Sequence, residues 1–270
     1  MVVQHNLSAM NANRMLNVTT SAQSKSTEKL SSGYKINRAG DDAAGLSISE
    51  KMRSQIRGLN KASDNAQDGI SLIQVAEGAL NETHSILQRM NELATQAAND
   101  TNTSVDRQSI KDEIKQLNEE LDRISSTTQF NKQDLLTGGF SGKLQVGALE
   151  GQTMDVKISL AVSAKGLNVS AVEVSTNAKA GAAMQSIQDA IESVSKQRSK
   201  LGAIQNRLEH TINNLDTNAE NTQAAESRIR DTDMADEMVQ YSKNNILSQA
   251  GQSMLTQANQ QTQGVLSLLQ

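Results

Sequence analysis

The sequence contains no proline among its 270 residues, and this feature constrains the fold more than any other. At the average usage of about 5%, a chain of this length would carry roughly 13 prolines. Proline breaks helices because its ring removes a backbone donor and clashes with the preceding turn. A chain without it is suited to long, uninterrupted helices, and we expect it to refold without slow isomerisation at X-Pro bonds.

Cysteine and tryptophan are also absent, and aromatic residues make up 1% of the chain. The lack of cysteine excludes a disulfide framework, a thiolate zinc site and a cysteine nucleophile. So few aromatic rings exclude a base-stacking surface for nucleic acid. The net charge is −4, so no polybasic patch dominates the chain. We therefore expect no nucleic-acid partner.

Apolar residues recur at steps of three or four in two long blocks, which predicts amphipathic helices. The first block starts near residue 44, is interrupted at 99–102 and ends near Ser126; the second starts near Gly181. The pair Asp41 and Asp42 stands where a helix N-cap belongs, and Thr103 with Asp106 has capping-box spacing. We expect the helices on either side of 99–102 to form an antiparallel pair.

The middle of the chain changes to a period of two, which predicts a β-hairpin near 142–160. Three further valines predict more extended chain after it. The alternating residues are Leu144, Val146 and Ala148, then Met154, Val156, Ile158 and Leu160, and the three valines are Val169, Val172 and Val174. The predicted fold class is mainly α: a long antiparallel helical coiled-coil or bundle rod with a small β-hairpin region, plus a terminal helix pair.

The two ends of the chain are weakly charged and amphipathic. Residues 240–270 include 17 Gln, Asn, Ser or Thr, and Lys243 carries the only charged side chain. A free surface helix normally carries more charge. We therefore expect the ends to pair with each other and with other copies of the chain, and to fold only on assembly. A single long, soluble coiled coil is the alternative interpretation.

No pattern for catalysis or cofactor binding is found in the sequence. The three histidines lie in separate segments, and no HExxH, phosphate-loop or GxSxG motif occurs. We expect no enzyme activity, no cofactor and no metal. No stretch approaches 18 apolar residues, so no membrane span is expected. Because the first residues lack a signal-peptide pattern, the chain is expected to be cytoplasmic or exported without a cleaved signal.

Residues 30–59, LSSGYKINRAGDDAAGLSISEKMRSQIRGL, closely resemble the N-terminal signature of bacterial flagellin. The resemblance continues through 65–82, 87–99 and 126–136, and it is completed by SQAGQSMLTQANQQTQGVLSLLQ at 248–270. It implies a structural subunit that polymerises into the flagellar filament for motility, secreted unfolded through the central channel to the extracellular flagellum. The alternative within the same superfamily is a hook–filament junction protein. A cytoplasmic chemoreceptor stalk is disfavoured because the glycine-rich segment 138–181 stands where its helical tip would be.

The same resemblance implies a domain organisation. Residues 1–42 and 236–270 correspond to a discontinuous inner-core domain, and residues 43–235 correspond to a rod domain with its hairpin near 142–160. The outer domains that larger flagellins insert are expected to be missing, since only about 165–180 stands in their place.

Partners and contact residues are also implied by the resemblance. The expected partners are other flagellin subunits, an export chaperone, cap and junction proteins, and the Toll-like flagellin receptor of animal hosts, which binds released monomer. The residues that match the receptor-binding patch are Gln88, Arg89, Glu92, Leu93 and Glu113. Subunit packing is the other role open to Arg89 and Leu93. A C-terminal motif serves either filament-core packing or recognition by a host inflammasome sensor, and its residues are Val265, Leu266, Leu268 and Leu269.

Overall fold

A computed structural model describes the backbone of residues 6–267 and the side chains of residues 6–261. Long helices make up most of this range, and two small antiparallel sheets lie between the third and fourth helix. The elements are α1 Leu7–Ser32, α2 Ala43–Ala97, α3 Ser104–Thr127, β1 Gln129–Phe130, β2 Gln133–Asp134, β3 Phe140–Gln145, β4 Thr153–Ile158, α4 Asn177–Arg230 and α5 Met234–Ser267. The predicted fold class is confirmed.

The helices begin at polar caps. The Asp42 carboxylate accepts a hydrogen bond from the Gly45 backbone N–H at 2.9 Å, which caps α2. Thr103 and Asp106 form the predicted capping box at the start of α3, and the hydrogen bond from the Thr103 hydroxyl lowers the pKa of Asp106. Helix α4 begins before Gly181, because Thr176 accepts a hydrogen bond from the Lys179 N–H.

Residues Gln55–Glu220 form one compact unit. Within it α2 and α4 run antiparallel, since Ser63 bonds to Asp216 and Glu77 pairs with Arg198. The apolar seams of α2, α3 and α4 supply most of the core, and its largest fully buried members include Ile73, Leu80, Leu87, Met90, Ile114, Leu121, Ile187 and Leu201. Thr83 is a polar residue at a buried position of the α2 seam. Its buried hydroxyl donates to the Ala79 carbonyl at 2.9 Å.

The hairpin of β3 and β4 packs its alternate residues into this core. Met154, Val156 and Ile158 are buried, and the residues between them are exposed. Asn65 on α2 donates to the Gln145 carbonyl at 3.1 Å and holds β3 beside the helix. A Cβ added at Gly58 of α2 would lie 2.8 Å from the Ala148 Cβ, so the loop after β3 approaches this helix closely.

The extended chain predicted at Val169, Val172 and Val174 forms no strand. Residues 163–171 form turns, and no strand is found between 159 and 176. Val169 and Val174 are nevertheless buried, because the turns lie against α3, where Asn118 donates to the Val169 carbonyl and Asp122 accepts from the Ala164 N–H. Their apolar character reflects packing rather than strand pairing.

The described residues up to Ser54 and from Asn221 onwards form a second compact unit. In it α1 and α5 run antiparallel: the Asn6 side chain donates to the Ala258 carbonyl at 2.9 Å, and Lys29 pairs with Glu237 at 3.3 Å. The terminal helix pair was predicted from the matching character of the two ends. The domain boundaries after residues 42 and 235 stay a prediction.

Candidate functional site

The terminal helices expose many large apolar side chains. Ser26 is the only buried residue in α1, and no α5 side chain up to residue 261 is buried. By contrast, Leu80 and Leu87 in the unit of residues 55–220 are fully buried. The exposed side chains, with their exposed fractions, include Leu7 72%, Met10 65%, Val18 61%, Val239 65%, Ile246 66% and Met254 62%. We call this set, together with Met15, Met234, Met238 and Leu247, the terminal apolar surface.

This surface covers more than one side of α1. Met10 and Val18 line one open groove together with Arg14. Met15 lines a different groove, which α1 forms with Leu247 and Met254 of α5. Apolar side chains therefore face outward on two sides of the same helix.

A cluster around Arg230 holds the chain segment between α1 and α2. The Arg230 guanidinium lies 4.7 Å from the centre of the Tyr34 ring and donates to the Glu50 carboxylate at 2.8 Å. The Arg230 carbonyl accepts from the Lys35 N–H at 2.7 Å. Nearby, the buried Ser49 hydroxyl donates to Glu226 at 2.8 Å. The hydrogen bond from Arg230 lowers the pKa of Glu50 below its usual value of 4.5.

Four of the five residues predicted to contact a receptor lie together on the exposed faces of α2 and α3. Arg89 donates from Nη2 and Nε to the Glu113 carboxylate at 3.0 and 3.1 Å, and from Nη1 to Glu92 at 3.1 Å. The hydrogen bonds to Glu113 and Glu92 raise the pKa of Arg89. Gln88 lies one residue before Arg89, and its amide is 3.1 Å from the His84 ring.

Leu93, the fifth of these residues, is buried. Its side chain is 2% exposed and belongs to the core cluster with Met90 and Ala94. The periodicity indicates the burial of Leu93, because Leu93 follows Met90 by three residues, which is the spacing of the α2 seam. In the C-terminal motif, the side chains of Val265 and Leu266 lie outside the described residues, as do Leu268 and Leu269 altogether.

Neither a metal-binding cluster nor a membrane-spanning helix is found in the described part of the chain. No group of three or more His, Asp or Glu residues in it is arranged to hold a metal ion. None of the helices in the same range combines the length and apolar character needed to cross a membrane.

Comparison with known proteins identifies the family. The sequence family described as the N-terminal helical region of bacterial flagellin matches residues 3–141, and that of the C-terminal helical region matches residues 184–269. A flagellin from Halalkalibacterium halodurans is 55% identical over 271 residues, which covers 100% of both chains. The chain belongs to the bacterial flagellin family.

Other similarities agree with membership of the flagellin family. A Treponema maltophilum protein described as a flagellar filament 31.3 kDa core protein is 52% identical over 286 residues, 100% of each chain. The crystal structure of Bacillus cereus flagellin matches with a TM-score of 0.51 at 34% identity, covering 60% of this chain and 94% of that one. Flagellins are structural proteins, and this one is a short form, because only residues 142–183 separate the two matched regions.

Proposed function

We propose that this chain is secreted and polymerises with other copies into the flagellar filament, which buries the terminal apolar surface between subunits. The observation that carries the proposal is the exposure of large apolar side chains along both α1 and α5. Contiguous exposed apolar surface marks an interaction site, and in proteins most of the stability of a helix comes from the packing of its apolar face.

The distribution of this surface favours an open polymer over a closed dimer. Met10 and Met15 line different grooves on α1, so one neighbour on one side would leave the other groove in water. Contacts between different surfaces of identical subunits generate open helical assemblies when the rotation between subunits does not close a ring. Family membership supports the same conclusion, since flagellins build filaments.

The test is seeded polymerisation of variants that carry a charge on the terminal apolar surface. We expect Val18→Asp and Ile246→Asp to keep the unfolding temperature of the core but to fail to elongate filament seeds, because a buried unpaired carboxylate is costly. Val105→Asp is the matched control, since Val105 is 73% exposed at the start of α3. Elongation of all three variants at the wild-type rate would contradict the proposal. The alternative of a hook–filament junction protein predicts only a few copies per flagellum.

We propose the domain organisation implied by the resemblance, with residues 1–42 and 236–270 in the inner core of the filament and residues 43–235 in its rod domain. The pairing of α1 with α5 supports the first assignment. In this arrangement Val265, Leu266, Leu268 and Leu269 pack in the filament core, and an inflammasome sensor binds them in released monomer. An export chaperone, a cap and junction proteins complete the proposed partners.

A second proposed function is recognition of the monomer by the Toll-like flagellin receptor through Gln88, Arg89, Glu92 and Glu113. All four side chains are exposed, and the three hydrogen bonds of Arg89 fix its guanidinium above the helix pair. Arginine is a frequent anchor at interfaces, because its planar donor fork and its apolar stem both make contacts. Leu93 supports this patch from the core.

Reporter cells test the receptor proposal. We expect Arg89→Ala monomer to need about tenfold or more protein for half-maximal signalling, as for an interface anchor. The matched control is Arg123→Ala, because Arg123 is similarly exposed and pairs with Glu120 on one helix. Equal signalling by the wild type and both variants would remove Arg89 from the site. Leu93→Ala is unsuitable, since a core cavity costs about 2–5 kcal/mol of stability.

A further inference from the structure

The methionines with described side chains fall into two classes by exposure. Five methionines lie on the terminal helices, with exposed fractions of 65% for Met10, 53% for Met15, 48% for Met234, 50% for Met238 and 62% for Met254. The other methionines with described side chains are buried or half-buried: Met52, Met90, Met154 and Met184. This division is unusual because methionine is ordinarily among the buried residue types.

The thioethers of its ten methionines are the only sulfur atoms of the chain, since it has no cysteine. Oxidation of methionine depends on access to the sulfur and converts a flexible apolar side chain into a polar one. We propose that the five exposed methionines are the main oxidation sites among the described residues of the unassembled chain, and that their conversion to sulfoxides blocks its polymerisation. This inference rests on the proposed burial of the terminal apolar surface between subunits.

The oxidant belongs to the class of two-electron peroxides, of which hydrogen peroxide is the simplest. The thioether sulfur attacks one peroxide oxygen, an S–O bond forms and the O–O bond breaks. With hydrogen peroxide, the departing hydroxide takes the proton of the transferred hydroxyl and leaves as water, and the sulfur is oxidised to the sulfoxide. No thiol of the chain competes for the oxidant, because the sequence contains none.

The position of these side chains explains why a single added oxygen matters. Met10 lines one groove of α1, and Met15 and Met254 line the other. A sulfoxide oxygen is a strong acceptor, and burying it without a donor is unfavourable. Oxidation of the methionines in either groove therefore makes burial of that groove against a neighbouring subunit unfavourable. In the filament the same sulfur atoms are covered, so the sensitive state is the monomer.

The first experiment exposes purified full-length monomer and assembled filament to the same dose of hydrogen peroxide. Peptide mass spectrometry locates the sulfoxides, and electron microscopy measures elongation of seeds. In the monomer we expect oxidation at the five terminal methionines ahead of Met90 and Met154, and elongation slower by about tenfold or more. In the filament we expect the same five side chains to remain reduced.

Two variants separate these sites from general damage. Replacing all five terminal methionines by leucine conserves volume closely and should leave elongation unchanged after peroxide. The matched control replaces Met52 and Met184 by leucine, and it should remain as sensitive as the wild type. Methionine sulfoxide reductases, which restore the thioether, should restore elongation of the oxidised wild-type chain.

The inference is overturned if the oxidised monomer elongates seeds as fast as the untreated one, or if the five-leucine variant loses elongation as the wild type does. If that variant does not elongate even before treatment, the reductase experiment decides, and no recovery would contradict the inference. Failure of the untreated wild-type chain to elongate seeds would instead contradict the proposed function.

Discussion

At the residue scale, Arg230 makes both a ring contact and an ion pair near the terminal helices. Its guanidinium stacks on Tyr34 and bonds to Glu50, and its own side chain is 13% exposed. Arginine suits such a position because its planar group stacks on an aromatic ring and pairs with a carboxylate at the same time. The segment that joins α1 to α2 is thereby tied to the end of α4.

The pair of Glu50 and Arg230 predicts an acid-dependent stability. Since the hydrogen bond from Arg230 lowers the pKa of Glu50 below 4.5, the unfolded chain takes up this proton at a higher pH than the folded chain. The stabilisation is present above about pH 4.5 and is lost as the pH falls through the folded pKa. We expect Glu50→Gln to unfold more easily than the wild type at pH 7.

Urea unfolding of the monomer at pH 7 and pH 3 measures this effect. The difference between Glu50→Gln and the wild type should shrink at pH 3, below the usual pKa of 4.5, because the carboxyl group of the unfolded chain is then mostly protonated. Glu82→Gln is the control, since Glu82 is exposed on the same helix, and it should change stability little. A constant deficit of Glu50→Gln at both pH values would contradict the prediction.

At the element scale, helix α2 contacts the hairpin loop through a residue without a side chain. A Cβ at Gly58 would lie 2.8 Å from the Ala148 Cβ and 3.3 Å from its Cα. At Gly78, on the same helix, a Cβ would meet no atom within 4 Å. Alanine substitutions at the two glycines therefore distinguish the cost of a steric clash from the gain in helix propensity.

Alanine substitutions at these two glycines should have different effects. Gly78→Ala should stabilise the chain by about 1 kcal/mol, because alanine is the better helix former. Gly58→Ala should lose part or all of this gain, since the backbone at Ala148 has to move. Thermal unfolding of both variants measures the contrast. Equal stabilisation by the two substitutions would show that the loop after β3 does not pack closely on α2.

The long helices were predictable because two independent signals agree. The three-four seam sets the buried face of α2, and the caps at Asp42 and Thr103 set two of the helix starts. The strand pair β1–β2 was missed, since its turn uses Asn131 and Lys132 at positive φ. Asparagine is common in such turns, but the usual glycine is absent from the second position.

Elements without a repeating pattern could not be assigned correctly from sequence. Val169 and Val174 are buried without strand pairing, and a short apolar run looks the same whether it pairs as a strand or packs as a loop. In the candidate receptor site, the antiparallel turn between α2 and α3 predicts the approach of Arg89 to Glu113. The burial of Leu93 was missed because α2 buries more than one residue in each turn, so residues beside the predicted seam are also buried.

At the scale of the whole molecule, the two compact units differ in how they use their apolar residues. The unit of residues 55–220 buries most of them in one large core and one smaller cluster, whereas the terminal helices α1 and α5 leave many of theirs exposed. The absence of proline suits long helices, and it also suits refolding after the proposed secretion. The low charge of the C-terminal segment is explained if its polar face also meets protein.

Hydrogen exchange of monomer and filament tests this account most directly. Backbone amides of helices that lack a buried face open at low free energy, whereas core amides open only with the whole unit. We expect the amides of α1 and α5 to exchange rapidly in the monomer and slowly in the filament. The amides of α2, α3 and α4 within residues 55–220 should be protected in both states. Terminal helices as protected in the monomer as α3, with no change on polymerisation, would contradict the account.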